Sequence, residues 1–433
     1  MRVLVLGAYG VIGTRVCGAL IDQGHEVVGL GRSIARAQRR LPRVKWIAHD
    51  LRQLVTVDAW HGVLVGQRFD AAVNAAGVLQ DGAQDDVRAV QEAAMLALFA
   101  ACDDAGIKRF VQISATRAGD AASTDFMRTK GRADEALRGS TLDWVILRPG
   151  LVVATDAYGG TALLRALAAL PVVTVLAYPE SRMQTVDVDD VARAVVRAVG
   201  GDVPTRQTYD LVEADSHSLR QVVGAFRAWL GLAPQRVIVV PDVVARFAGR
   251  LADLTGQLGW RSPLRTTALE ETRASVVGDA EPWRRLTGAP LASLDQVLMR
   301  RPSTVQDRWF ARLFLLVPVV IGVLSLFWIL SGLIGFVNLD AAKRVLAASG
   351  LGDGVQSFLV VGGALVDVVL GGAILWRRQA RTAAFGMIAV SVLYLMGGAI
   401  FAPHLWGDPL GPMLKVVPGM VLALLAVQLV DER

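Results

Sequence analysis

The sequence predicts a doubly wound parallel α/β sheet with a small added subdomain, followed by an all-α four-helix transmembrane domain. Three observations carry this. An apolar strand opens the chain and ends in closely spaced glycines. Strand and helix patterns then alternate, and beyond Arg308 come apolar stretches long enough to cross a bilayer. A chain of 433 residues is too long for one ordinary domain, and a mean hydropathy of +0.44 is too high for a wholly soluble one. The expected divisions are a sheet core at 1–155, remaining sheet elements with a covering subdomain at 156–305, and a membrane domain at 309–433.

The first strand, Arg2-Val3-Leu4-Val5-Leu6, runs into Gly7-Ala8-Tyr9-Gly10-Val11-Ile12-Gly13 and then an amphipathic helix. A buried strand, a glycine turn and a helix in that order form the unit by which a Rossmann fold holds a dinucleotide. Gly7 permits the turn, Gly10 admits backbone close to pyrophosphate, and Gly13 lets helix pack against strand. Tyr9, Val11 and Ile12 fill the turn, and the phosphates would sit at the positive end of the helix beginning near Val11.

The second strand, Glu26–Leu30, ends in Gly31-Arg32-Ser33. An NAD site usually places an acid there, about twenty residues past the glycines, for the ribose 2′-hydroxyl. This chain places Arg32 there, with Arg36, Arg39 and Arg40 behind it. A guanidinium suits a 2′-phosphate, so NADP(H) is favoured over NAD(H). Arg39 and Arg40 read as a solvated helix face.

Further strands are expected at Val44–Ile47, Ala71–Asn74, Arg109–Ile113 and Leu142–Leu147, with helices at Asp85–Ala105 and Phe126–Leu137 between them. Ligands of such sheets bind beyond the carboxyl ends of the strands. Asp50 and Leu51, Asn74-Ala75-Ala76-Gly77, Ser114 and Arg148-Pro149-Gly150 all fall at that edge.

Together with the glycine turn and Lys130, these motifs resemble the extended and atypical short-chain dehydrogenase/reductases, most of all the NmrA-like and complex-I-subunit-like members, over roughly residues 1–240. The resemblance implies NAD(P) binding. It implies that Asp50 contacts adenine, that Asn74–Gly77 line the cofactor cleft, that Lys130 binds the nicotinamide ribose and that Arg148-Pro149-Gly150 passes near the nicotinamide. Ser114 and Lys130 take the catalytic positions. The family's catalytic Tyr belongs at position 126, which keeps both spacings but holds Phe126. Phenylalanine has no proton to pass to a substrate oxygen. Tyr158 and Tyr178 are nearby in sequence, yet both read as structural aromatics. Thr185-Val186-Asp187-Val188-Asp189-Asp190-Val191-Ala192 resembles the family's second-subdomain signature, and equally reads as an N-cap followed by an acidic first turn.

Between 200 and 300, strands are expected at Gln207–Leu211 and Val237–Val240, and helices near Leu219–Leu230, Val243–Leu258 and Thr266–Ser275. In the family such a segment covers the substrate, where Trp229, Trp260 and Trp283 are candidate pocket walls or core. No polar constellation here names a substrate. Cys17 and Cys102 sit at helical core positions without metal-ligand spacing, as suits a reducing compartment. No metal site is expected. The net charge of +6 is not arranged as a basic stripe with interleaved aromatics, so nucleic acid is not an expected partner.

Spans are expected at about 310–337, 355–376, 382–401 and 413–430, the last the shortest and carrying Lys415 and Pro418. Arg300, Arg301, Arg308 and Arg312 precede the first, and Arg377, Arg378 and Arg381 lie between the second and third. The positive-inside rule then places the N-terminal domain and the C-terminus in the cytoplasm of a bacterial-type inner membrane. The span count and the glycine-rich second span resemble the DoxX-like four-helix family. Asp367, midway along that span, reads either as a functional group or as a buried partner of Arg312, Lys415 or backbone. Two functions fit this sequence, the first favoured because a separate subdomain over the cleft implies a second ligand. One is a membrane-anchored NAD(P)H oxidoreductase acting on a small apolar acceptor, such as a quinone or lipid-like carbonyl. The other is a catalytically silent NADP(H)-sensing regulatory or assembly subunit of a membrane complex; a homo-oligomer fits either.

Overall fold

The computed structural model describes residues 1–83, 85–346 and 350–430, the side chain of Arg36 excepted; the C-terminal residue Arg433 lies outside them. Two compact units form. One comprises Met1–Asp253 and Ser262–Ala311, the other Leu254–Arg261 and Arg312–Arg433.

The first unit is built on β1 (Arg2–Leu6), β2 (Glu26–Gly31), β3 (Lys45–Ala48), β4 (Ala71–Asn74), β5 (Arg109–Ile113), β6 (Asp143–Pro149) and the strand Gln207–Leu211. All pair in parallel. From one edge the order is Gln207–Leu211, β6, β5, β4, β1, β2, β3, so the strand order reverses between β1 and β4. That is the doubly wound pattern, with its ligand crevice at the reversal.

Residues of β1 show how the pleat divides the core. Val3 and Val5 face one layer with Val16, Cys17 and Leu20 of helix α1 (Val11–Asp22), while Leu4 and Leu6 face the other with Trp60, Leu98 and Phe110. Apolar side chains on both faces explain why this strand reads as a continuous apolar run. Helices α2 (Ile34–Arg40), α3 (Val57–Leu64), α4 (Ala94–Asp104) and α5 (Asp125–Arg138) complete the first half. The predicted helix over Asp85–Ala105 starts later than expected. Asp81 and Asp86 accept hydrogen bonds from the backbone of Val87 and Ala89, and a π-turn over Ala89–Ala93 precedes α4. Cys17 and Cys102 are both fully buried, and burial pushes each thiol up to about 12.

Among the described residues of the second unit three helices are long and apolar enough to cross a membrane: Leu316–Val337, Asp353–Ala373 and Ala380–Phe401. The expected first span divides. Val305–Phe314 is a separate helix, and the break falls at Leu315, where the ring of Pro318 would oppose the carbonyl of Phe314 in a continuous helix. The fourth apolar helix, Val416–Val430, has 15 residues and is shorter than expected. It starts beyond Lys415, with Pro418 in its first turn. Within this unit the segment Leu254–Arg261 is held by the turn after Asp353–Ala373. The Trp260 indole N–H donates to the Leu375 carbonyl (2.7 Å), the Arg377 backbone N–H donates to the Leu258 carbonyl (3.0 Å), and the Arg377 guanidinium lies over the Trp260 ring.

Candidate functional site

The glycine turn is fixed by contact as well as by conformation. Gly7 has φ +67°, and a Cβ there would stand 2.7 Å from backbone atoms of Ala75 and Ala76 at the end of β4. A Cβ on Gly13 would overlap the Gly7 carbonyl. The Gly10 N–H donates to that carbonyl at 2.9 Å. Helix α1 begins at Val11 with no side-chain cap and no acid in its first turn, which leaves its positive end suited to an anion. Tyr9 lies across Gly31, where a Cβ would strike its ring, and meets Trp46 at 5.9 Å.

Arg32, at the end of β2, pairs with Asp85 at 3.3 Å. Asp50 caps the turn Leu51–Gln53 by accepting from the Arg52 backbone N–H (3.0 Å), and its Oδ2 is 2.6 Å from the Arg52 guanidinium. Burial pushes the Asp50 carboxyl up, but the Arg52 hydrogen bonds outweigh it and hold the group below the usual range.

At the end of β4, Asn74 is buried. Its amide donates to Gln112 (3.0 Å) and its oxygen accepts from the Ala76 backbone (2.9 Å), which shapes the bend through Ala75 and Ala76. A Cβ on Gly77 would stand 3.5 Å from Gln91 Oε1 and 3.7 Å from Lys130 Nζ, so these three residues converge.

The two expected catalytic side chains are both buried, and both have protein partners. The Ser114 hydroxyl donates to Asp134 Oδ2 at 2.8 Å, and Arg148 donates to the same oxygen at 2.9 Å. The Lys130 ammonium donates to the Ile113 carbonyl (3.1 Å) and lies 5.6 Å from the centre of the Phe126 ring. Burial pushes the Lys130 ammonium down to about 8, with the nearby Asp134 opposing the change. Burial raises the Asp134 carboxyl, against the effects of Arg148 and Ser114.

Asp134 was not among the residues expected from sequence, nor were Gln91, Gln112 and Asp85. A signal for Asp134 is present, since it stands four residues after Lys130 on the buried face of α5, where Met127, Gly131 and Leu137 also point inward. Gly150 closes against the neighbouring chain. A Cβ there would overlap the Gln184 carbonyl, and its N–H donates to Leu211 (3.0 Å) just beyond the Pro149 end of β6.

The aromatic candidates divide. Trp283 is core, edge-on to Tyr209 at 5.5 Å, whereas Trp229 lies beneath the Arg165 guanidinium and Trp260 belongs to the membrane unit. Tyr178 bonds Asp242, and Tyr158 is exposed. Asp187 caps the helix Val188–Gly200 and pairs with Arg301. A largely polar cleft of about 380 Å³ opens beside Phe126, lined by Gln80, Asp81, Arg128, Asp253, Arg265 and Glu270 among others. No cluster suited to a metal ion occurs among the described residues. In the membrane unit Asp367 meets neither Arg312 nor Lys415 in an ion pair among the described residues. Ser331 and Tyr394 each donate a hydrogen bond to it at 2.8 Å.

Two families of known proteins match parts of the chain. Residues 7–201 match an NAD(P)H-binding family and residues 325–424 the DoxX-like family. The photosystem II assembly factor Ycf39 of Synechocystis sp. is 27% identical over 264 residues, 57% of this chain and 73% of that protein. An uncharacterized protein of Mycobacterium tuberculosis is 27% identical over 225 residues, 52% of this chain but 23% of its own length. The dTDP-glucose 4,6-dehydratase of Bacillus anthracis, solved with NAD, superposes at a TM-score of 0.53 with 14% identity, covering 71% of this chain and 96% of that one. The UDP-glucose 4-epimerase of Thermotoga maritima, solved with UDP-glucose, does so at 0.51 with 17% identity, covering 69% and 96%. At such identities the structures establish the fold alone. The chain thus joins a Rossmann-fold domain that matches an NAD(P)H-binding family to a segment that matches the DoxX-like family and carries membrane-length helices.

Proposed function

We propose that this protein is a membrane-anchored NADP(H)-binding subunit that senses the cofactor without reducing carbonyls, and that it regulates or assembles a membrane complex. The observation that carries this reading is the state of the proton relay. Phe126 has no proton to give, the Ser114 hydroxyl donates its one proton to Asp134, and the Lys130 ammonium, with one of its three N–H groups on the Ile113 carbonyl, faces a phenyl ring in place of a phenol. The cofactor half of the site supports this reading through its tight glycine turn and the uncapped, acid-free start of helix α1. In this reading Gly7, Tyr9, Gly10, Val11, Ile12 and Gly13 hold the pyrophosphate, and Asp50 and Leu51 flank the adenine. Asn74–Gly77, Ser114, Lys130, Pro149 and Gly150 line the nicotinamide side. Arg32 exchanges Asp85 for the 2′-phosphate. The assembly role named for the Ycf39 relative supports the same reading. The arginines flanking the spans support a cytoplasmic nucleotide-binding domain at a bacterial inner membrane.

A second reading is hydride transfer to a quinone-like acceptor, which can take its proton from water and so does not need the missing phenol; the open cleft beside Phe126 leaves room for a second ligand there. One experiment separates them: purification in mild detergent, titration with NADPH and NADH, and an oxidation screen with quinones. Binding without turnover supports the sensor, brisk quinone-dependent NADPH oxidation supports the enzyme, and failure to bind either nucleotide overturns both. Arg32→Asp should weaken NADPH more than NADH, by about 1.5–3 kcal/mol for a charge-assisted bond. Equal losses would assign the cofactor preference elsewhere.

A further inference from the structure

Asp367 is the one carboxyl in the interior of the three membrane-length helices among the described residues, and its residue is 4% exposed. Each oxygen accepts one hydrogen bond, Oδ2 from Ser331 on Leu316–Val337 and Oδ1 from Tyr394 on Ala380–Phe401, both at 2.8 Å. Helices Leu316–Val337 and Val416–Val430 carry no other titratable or charged group that could face it. On Ala380–Phe401 the only such groups are Tyr394 and Arg381, and Arg381 is about 20 Å along the axis from Tyr394 at the helical rise. Asp353, on the same helix as Asp367, is about as far away and pairs with Lys343. The other charges of Leu339–Leu346, Asp340 and Arg344, stay with that short helix, which Lys343 ties to the Asp353 end.

The chemistry of the partners is the telling point. A lysine or arginine beside Asp367 could only donate, and would hold it as a carboxylate. Serine and tyrosine hydroxyls rotate, and can donate to a carboxylate or accept from a carboxylic acid. The surroundings therefore satisfy both protonation states without supplying a fixed counter-charge in a setting where charge is costly. We propose that Asp367, with Ser331 and Tyr394, is a reversible proton-binding site within the membrane unit. On uptake, an O–H bond of hydronium breaks to leave water as an O–H bond forms on one carboxylate oxygen, the site changes from one negative charge to none, and no electrons move. One hydroxyl turns from donor to acceptor, so the contact joining three helices persists while the direction of one of its hydrogen bonds follows the proton.

The test uses the full chain in detergent or liposomes and N,N′-dicyclohexylcarbodiimide, an apolar reagent for protonated carboxyls, with peptide mass spectrometry to locate the adduct. Asp367 should be labelled at mildly acidic pH, and labelling should fall about tenfold per unit of pH once the carboxyl is mostly ionised. Asp367→Asn should abolish it. Should that variant fail to fold, infrared spectra of the wild type across the same pH range give the second readout. A carboxylic-acid C=O band should come and go with pH, and in Tyr394→Phe it should move to higher frequency through loss of a hydrogen bond. No adduct on Asp367 at any pH together with no titrating band would overturn the proposal. So would a band or label that pH does not change, which would make the group a permanent structural clamp.

Discussion

At position 126 a phenyl ring stands where the relay of the short-chain dehydrogenase/reductases that the motifs resemble needs a phenol, but restoring the hydroxyl repairs only part of the site. In the variant Phe126→Tyr the Ser114 proton would still be committed to Asp134, which Arg148 holds in place. Phe126→Tyr alone should therefore raise NADPH-dependent carbonyl reduction by less than the ~10²–10⁴-fold of a well-placed general acid. Adding Asp134→Leu and Arg148→Met removes both ends of the ion pair and frees the Ser114 hydroxyl at the expense of the carboxylate near Lys130, and should raise the rate further. Equal steady-state rates for the single and triple variants would show that Asp134 does not restrain Ser114. Lys130 gives a separate test by pH. Its folded value of about 8 is below the ordinary 10.5, so above about 8 the folded chain gives up a proton that the unfolded chain still holds. Stability should rise with pH across that window by up to about 1.4 kcal/mol per unit. Below it the cost of the buried ammonium is carried in full. Denaturant titrations of the wild type and Lys130→Met should differ in slope there, and matching slopes would place the titrating group elsewhere. At this scale the spacing of Ser114, Phe126 and Lys130 was readable in the chain. The Asp134–Arg148 pair was not, because its meaning depends on a strand that returns beneath the helix, although a charge at a core position of α5 was visible.

Among the elements, the turn between β1 and α1 has the least slack. Gly13→Ala would drive a methyl group into the Gly7 carbonyl, and Gly7→Ala would add a strained positive φ to a clash with Ala75 and Ala76. Each should cost about 1–3 kcal/mol of stability and weaken nucleotide binding, read by thermal unfolding and by NAD(P)H fluorescence titration. A Gly13→Ala protein that binds normally would mean that the turn yields. Strands were easy to read here because both faces of the sheet are covered, so the apolar runs are continuous. Helix ends were harder, since they depend on single caps. Asp81 and Asp86 delay the start of the helix after β4, and Pro318 divides what hydropathy alone presents as one span.

For the whole molecule, the number of crossings decides where the C-terminus lies. The helix Val416–Val430 is roughly 22 Å long at the helical rise, against a hydrocarbon core of about 30 Å. If flanking residues complete the crossing, reporters fused after Arg433 and inserted near Gly350 should report opposite sides of the membrane, the former cytoplasmic. The same side for both would mean that this helix does not cross. Hydropathy made the two-part division legible, but not the eight residues Leu254–Arg261. They carry no span-like run, and their place is set by contacts such as the Trp260 indole on the Leu375 carbonyl. The polypeptide therefore passes from one unit to the other three times, near Asp253, Arg261 and Ala311. A protease nick between Arg301 and Thr304, which would ordinarily shed an extramembrane domain, should leave the amino-terminal fragment sedimenting with the vesicles. It would be retained like a seam with a second row of stitching, because Arg165 on Asp307 and the burial of Ala311 also keep hold of the membrane-side fragment, and a fragment released by the nick alone would show that neither row holds.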